Sequence, residues 1–242
     1  MNFEIVTHCW RYWRCLTYQV ATIFHHPPPK EINLILNVVT SQEDHATCRR
    51  LQELETLPLP ENVKIKTTLL EKERLFRRGI GRNQVALETK ADVVWFTDCD
   101  YLIHGSSLHD VMRFMAQPDH KFIYPKRVYG TTHETGYDLI QEASQWQGPP
   151  EIIREHFTEV MKLNRAIGGV QIVSGDLCRK YGYLKDSKEW EKPASRWKRA
   201  YEDVHFRKLL NREGHKARKV KIADVLRIRH PVAGRDDPTV EL

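Results

Sequence analysis

The sequence is short of most features that would announce a class at once. No apolar run approaches the roughly 18 residues that a bilayer-spanning helix requires, which excludes an integral membrane protein of the helical kind. The opening stretch, Asn2-Phe3-Glu4-Ile5-Val6-Thr7, is strand-like and carries no basic n-region, so it does not read as a secretory signal. Cysteine is scarce and odd in number: Cys9, Cys15, Cys48, Cys99 and Cys178, with no C-x-x-C pair. That argues against a zinc ribbon or a disulfide framework and for reduced, cytoplasmic thiols placed mostly in the core. There is no P-loop, no G-x-G-x-x-G and no G-x-S-x-G. Long acidic or Ser/Gly tracts are missing, which excludes wholesale disorder, and 12 Gly with 12 Pro exclude a fibrous repeat. What remains is a cytoplasmic globular chain of 242 residues, 40% hydrophobic and 29% charged, with enough apolar mass for one core.

Charge is distributed unevenly. The chain has 38 Lys plus Arg against 32 Asp plus Glu. Between Arg179 and Arg229 there are 17 basic and 7 acidic side chains, interleaved with Tyr181, Tyr183, Trp190, Trp197 and Tyr201. A polyanion would be drawn to such a segment by counterion release, and its bases could stack on the aromatic rings. A solvated basic face has the same composition.

Hydrophobic periodicity orders the first half. Residues 3–7 read as a buried strand. Trp13, Leu16, Val20 and Phe24 recur at helical spacing, and the helix stops at His25-His26-Pro27-Pro28-Pro29. Residues 33–39 are a second strand. A polar link caps a helix running toward Leu57, ended by Pro58 and Pro60. Residues 63–67 alternate like a half-exposed strand, a basic helix covers about Arg74 to Thr89, and residues 92–97 are apolar enough for a central parallel strand. This alternation predicts a parallel sheet with helices on its faces. Ligands then sit beyond the carboxyl ends of the strands, at Thr7-His8-Cys9, Thr40-Ser41 and Asp98-Cys99-Asp100. The second half is less regular: short strands at 121–125, 169–174 and 217–222, a mostly helical stretch over 134–165 broken by Gly148-Pro149-Pro150, and a helix from Tyr201 to Arg212.

Asp98-Cys99-Asp100 is the strongest chemical signal. In extended geometry positions i and i+2 point the same way, so both carboxylates could reach one divalent cation. Hard oxygen ligands suit Mg2+ or Mn2+, with a diphosphate filling the remaining positions. Aspartate also ends strands simply as a turn or cap residue.

Arg82-Asn83-Gln84-Val85-Ala86-Leu87, leading into Ala91-Asp92-Val93-Val94-Trp95-Phe96-Thr97-Asp98-Cys99-Asp100, resembles the donor-binding half of nucleotide-sugar glycosyltransferases of the GT-A fold, family 2-like and inverting. Ile167-Gly168-Gly169-Val170-Gln171 resembles the glycine pair beside the sugar site, and Gly175 to Tyr183 resembles the next segment of that fold. Tyr201-Glu202-Asp203-Val204-His205 resembles the acidic pair that opens a helix and supplies the base, and Arg229-His230-Pro231 resembles a late metal-binding histidine. Many members end their second strand with an Asp pair that holds the nucleoside; here the strand ends Val38-Val39-Thr40-Ser41, and the nearest acids are Glu43 and Asp44.

The resemblance implies an α/β protein with a GT-A-type mixed, mainly parallel sheet flanked by helices, its nucleotide-binding half Rossmann-like. One domain would fill residues 1–242: a donor half over 1–104, an acceptor half over 105–235 and a loose tail over 236–242. It implies sugar transfer from a nucleoside-diphosphate sugar to a hydroxyl with Mn2+ or Mg2+ held by Asp98, Asp100 and His230. Asp203 would be the base and Glu202 its neighbour. Thr7, Arg78, Arg82, Asp98, Asp100, Gly168 and Gly169 would bind the donor. The basic C-terminal quarter makes the acceptor a candidate polyanion: a hydroxylated base in DNA ahead of an anionic lipid or glycan. Three other classes share parts of this pattern: a nucleotidyltransferase, a metal nuclease with a further acid cluster, and a basic nucleic-acid-binding module without catalysis.

Overall fold

The computed structural model describes residues 1–145, 148–197 and 200–230. The first half is laid out as its periodicity predicts: β1 (Asn2–His8), α1 (Trp13–His25), β2 (Asn33–Thr40), α2 (His45–Glu55), β3 (Val63–Leu69), α3 (Lys72–Leu75), α4 (Arg78–Glu88) and β4 (Val93–Asp98). The single basic helix expected over 74–89 is two helices, because the chain bends at Phe76-Arg77. The second half comprises β5 (Tyr101–Ile103), α5 (Gly105–Met115), β6 (Phe122–Pro125), β7 (Arg127–Gly130), α6 (His133–Glu142), β8 (Glu159–Lys162), β9 (Gln171–Ser174), α7 (Gly175–Tyr181), α8 (Glu202–Arg212), β10 (Arg218–Val220) and β11 (Val225–Arg227).

Seven strands form the central sheet in the order β10-β6-β9-β4-β1-β2-β3. All are parallel except β9, which runs against both β4 and β6, pairing Phe96 with Gln171 and Ile123 with Ile172. Its reversal puts the loop before it, rather than the loop after it, at the carboxyl end of β4. The central strands are apolar because both their faces are covered; Val94, Trp95 and Phe96 are fully buried. At the edge, β3 turns Lys64 and Lys66 to solvent, which blunts its open hydrogen-bonding side.

A second sheet, β5-β11-β7-β8, is not apparent from the sequence pattern. The expectation of a mostly helical 134–165 is corrected here: regular helix ends at Glu142, and residues 159–162 form β8, paired antiparallel with β7. Short strands of three or four residues, mostly open to solvent in the case of β8, carry too little periodicity to be seen. Four of the five cysteines are buried and all five are free thiols. No helix among the described residues is long and apolar enough to cross a membrane. The tail expected over 236–242, and Pro231, lie outside the described residues.

Candidate active site

The carboxyl end of β4 gathers side chains that are far apart in sequence. On α4, Arg78 and Arg82 stand four residues apart and therefore share a face. Both reach Asp98 Oδ1: Arg78 Nη1 donates at 2.8 Å and Arg82 Nη2 at 3.1 Å. The helix can come this close because its first turns carry glycines. A Cβ on Gly81 would lie 2.7 Å from His8 Nε2 and from Val39 Cγ1, and one on Gly79 would lie 2.8 Å from Leu184 Cδ2.

The two arginines do different jobs. Arg82 is 1% exposed and also donates to Thr97 O and to the Tyr183 hydroxyl, both at 3.0 Å. The Tyr183 hydroxyl donates its own proton to Gln171 Oε1 at 2.6 Å, and Gln171 Nε2 donates to Asp203 O at 2.9 Å. Arg82 is thus a buried tie between β4, β9 and α8, and of the two arginines expected to bind the donor it is the more enclosed. Arg78 keeps 23% of its side chain open and lies with Nε 3.8 Å from Glu202 Oε1. The charge of Asp98 raises the Arg78 pKa against the opposing effect of burial, so the guanidinium is firmly charged.

Glu202 and Asp203 occupy the first turn of α8, where the helix dipole favours acids. Glu202 is 2% exposed, and its Oε2 has no hydrogen-bond partner among the described residues. Asp203 is half-buried. A Cβ placed on Gly168 would stand 3.5 Å from Arg82 Nη1 and from Asp203 Cβ, so Gly168 borders the space these groups share. Gly169 has another reason to be glycine: its Cβ would lie 2.3 Å from Tyr101 Cε2. That explains Gly169 by ring packing instead of sugar contact. Thr7 is fully buried within β1, in register with Thr97 and Val38, and its hydroxyl finds no partner among the described residues. The structure places it inside the core. Next to it, His8 is buried with neither ring nitrogen hydrogen-bonded; burial first, then Arg82 and Arg78, push its pKa well below the usual histidine range. Asp44, one of the two acids that follow β2, caps α2 and accepts from Thr47 N and Arg11 N.

The two acids of Asp98-Cys99-Asp100 do not act as one pair. Cys99 and Asp100 form a turn, so the extended geometry that would align the carboxylates is absent. Asp98 is taken up by the α4 arginines. Asp100 is 6% exposed and faces β11, where Arg227 Nε donates to Oδ2 at 2.9 Å. Register fixes this contact: Arg227 pairs with Tyr101, and Ile228 N donates to Asp100 O at 2.9 Å. His230 Nε2 lies 3.9 Å from the same Oδ2, its ring 4.6 Å from that of Tyr12. Ligands about 2.1 Å from a small divalent ion stand roughly 3 to 4 Å apart, so Asp100 and His230 fit two positions on one ion. Among the described residues no group of three or more His, Cys, Asp or Glu converges on a metal position. Of the three expected ligands, Asp100 and His230 lie together while Asp98 faces the α4 arginines, and both acids are paired with cations.

Other expectations change too. Tyr181 and Tyr183 are core residues, and Trp197 packs on Phe76 with ring centroids 6.0 Å apart and under Arg78 at 5.7 Å. Of the interleaved aromatics, Tyr181 and Tyr183 are thus closed to a base, Trp190 and Trp197 are partly covered, and Tyr201 stays 58% exposed. His104, in a loop where a surface histidine is expected, stacks on His26 at 3.9 Å and accepts from Ser106 N at the start of α5. Sequence patterns alone do not single out Arg227, Tyr183 and Gln171, because only the pairing of distant strands gives them partners.

The sequence profile of glycosyl transferase family 2 matches residues 50–182, more than half of the chain. The chain belongs to that family. No curated protein sequence matches it. Among solved structures, it is similar to the mannosyltransferase PcManGT from Pyrobaculum calidifontis in complex with GDP-Man and Mn2+, with a TM-score of 0.61 and 14% identity over 96% of this chain and 58% of that one. It is also similar to S. aureus TarS in complex with UDP-GlcNAc, with a TM-score of 0.59 and 15% identity over 97% of this chain and 60% of that one. These likenesses establish a GT-A fold, of which the chain spans about three fifths of each structure's length. Within the matched family span lie Arg78, Arg82, Asp98, Asp100, Gly168 and Gly169; Glu202, Asp203, Arg227 and His230 lie beyond it.

Proposed function

We propose that the protein transfers a sugar from a nucleoside-diphosphate sugar to a hydroxyl acceptor, with inversion at the anomeric carbon. The observation that carries the proposal is the run Glu202–Arg78–Asp98, at 3.8 and 2.8 Å, which joins the acidic start of α8 to the carboxyl end of β4. A donor bound there would have its diphosphate near Arg78 and its sugar beside Gly168 and Asp203. The Asp203 carboxylate accepts the acceptor's proton as the hydroxyl oxygen attacks the anomeric carbon, and the bond to the diphosphate breaks. Arg78 donates to the departing oxygens as their charge grows. Asp100 and His230 are the residues that would hold Mn2+ or Mg2+, and such an ion supplies Lewis-acid neutralisation of the leaving diphosphate. Membership of the family favours this reading over a nucleotidyltransferase, a nuclease or a non-catalytic binding module. The acceptor is proposed to be anionic, on the strength of the exposed cations Lys185, Lys188, Lys192, Arg196, Lys208 and Lys216. With Tyr181 and Tyr183 buried and Tyr201 the exposed ring of the set, a phosphorylated glycan or lipid and a hydroxylated base in DNA are both acceptors that this surface could take.

The test is thermal unfolding against a panel of nucleotide sugars, with and without Mn2+. One donor should raise the midpoint in a metal-dependent way, and its turnover with acceptor should release a nucleoside diphosphate and a product of inverted anomeric configuration. Stabilisation by no donor, or release of pyrophosphate, overturns the proposal.

A further inference from the structure

Arg227 sits where a metal's charge would be needed. Its Nε donates at 2.9 Å to Asp100 Oδ2, the same oxygen that lies 3.9 Å from His230 Nε2. The contact is held from several directions. Strand β11 pairs Arg227 with Tyr101 on one side and with Gly130 on the other, and the guanidinium lies 5.2 Å from the Tyr101 ring centroid. Asp100 is nearly closed to solvent, whereas Arg227 keeps 38% of its side chain open. The open side faces a cleft of about 350 Å³ lined by Val128, Gly130, Glu159, Met161 and Arg229. Glu159 Oε2 lies 3.7 Å from Arg229 Nη1 in the same cleft.

We infer that Arg227 is a resident counter-cation of Asp100: it neutralises the carboxylate in the metal-free protein, competes with the divalent ion for Oδ2, and turns into the open cleft when the ion binds. The inference rests on the proposed metal role of Asp100 and His230 and adds a residue that acts against loading. The physical reason is simple. A carboxylate this buried is costly without a positive partner, so the site cannot wait empty. A guanidinium meets that need in the absence of metal, and its long flexible stem lets it leave without moving β11. Metal affinity is then set by a difference, the ion's attraction less the charge-assisted hydrogen bond that must be given up.

The experiment titrates Mn2+ alone, without donor, into the wild-type protein and the R227M and D100N variants, following free Mn2+ by electron paramagnetic resonance. R227M should bind Mn2+ roughly tenfold tighter than wild type, the worth of one charge-assisted hydrogen bond removed from the competition. D100N should lose binding. Unchanged or weaker binding by R227M, with wild type binding through Asp100, overturns the role of Arg227 and leaves the metal reading standing. Failure of both wild type and R227M to bind Mn2+, with or without a nucleoside diphosphate, overturns the metal reading and the inference together. A second measurement does not depend on how the variant folds. In the wild-type protein, phenylglyoxal labelling of Arg227, read by peptide mass spectrometry, should rise on addition of Mn2+; labelling that stays level while Mn2+ binds refutes the exchange.

Discussion

Gly168 and Gly169 are adjacent, yet the structure assigns them opposite sensitivities, and exchanging each for alanine separates packing from chemistry. A methyl on Gly169 would fall 2.3 Å from Tyr101 Cε2, 2.6 Å from Cζ and 3.0 Å from Cδ2. Ordinary carbon contacts are about 3.5 to 4.0 Å, so the ring would have to retreat by more than about 1 Å. It has little room, because Tyr101 is 2% exposed and is pinned in β5 by its pairing with Arg227. Overpacking of this kind costs about 1–3 kcal/mol. For a chain of this size each kcal/mol lowers the melting temperature by roughly 2–4 °C, so Gly169→Ala should melt roughly 2–12 °C below wild type by circular dichroism. A methyl on Gly168 meets nothing nearer than 3.5 Å. Gly168→Ala should therefore melt within about 1–4 °C of wild type, shifted upward if anything by the reduced entropy of the unfolded chain. Its transferase activity should fall, since the methyl stands over Asp203 and Arg82. A Gly169→Ala protein as stable as wild type, or a Gly168→Ala protein destabilised to the same degree as Gly169→Ala, would refute the reasoning.

The same geometry sets further outcomes. Asp203→Asn should lower kcat by about 10²–10⁴ while leaving the melting temperature nearly unchanged, as loss of a general base requires; full activity in that variant would remove Asp203 from the mechanism. Tyr183→Phe deletes the hydroxyl between Arg82 and Gln171 and strands a donor on a fully buried arginine, at a cost of about 1–3 kcal/mol, measurable by urea unfolding. Burial is the main cause that holds His8, His26 and His104 below the usual histidine pKa of 6.5. The unfolded chain then takes up protons that the folded one refuses. Stability should be full above about pH 6.5 and fall as the pH drops through the range below it. His8→Phe should flatten that decline by at most about 1.4 kcal/mol per pH unit, and identical slopes in the two proteins would count against a neutral, buried His8.

The parallel half of the fold was legible because each strand and helix there has a full period of apolar residues. The second sheet was not, since β5, β7, β8 and β11 have three or four residues each and their pairing is non-local. At the site, the order of motifs brought Asp98, Gly168 and Glu202-Asp203 to attention, and these do converge. The finer assignments depended on backbone geometry that spacing does not encode. A turn at Cys99-Asp100 sends the two acids to different cations, and Thr7 and Arg82 are enclosed to a degree that spacing does not reveal. Gly79 and Gly81, too weak a signal to use alone, turned out to matter through close approach: without them α4 could not lie against β1 and β2 and deliver Arg78 to Asp98.

Strand β9 runs counter to its neighbours, and this has a consequence for how the active face can vary. The segment from Leu163 to Gly169 arrives at the acids from upstream, while Ile172 is already locked into the ladder on both flanks. That approach is anchored at Leu163, Ala166 and Gly169, which are buried, and open at Asn164 and Arg165. One inverted strand thus lets the contour presented to an incoming sugar be altered at two exposed positions upstream of the ladder, with the rungs behind them left in place.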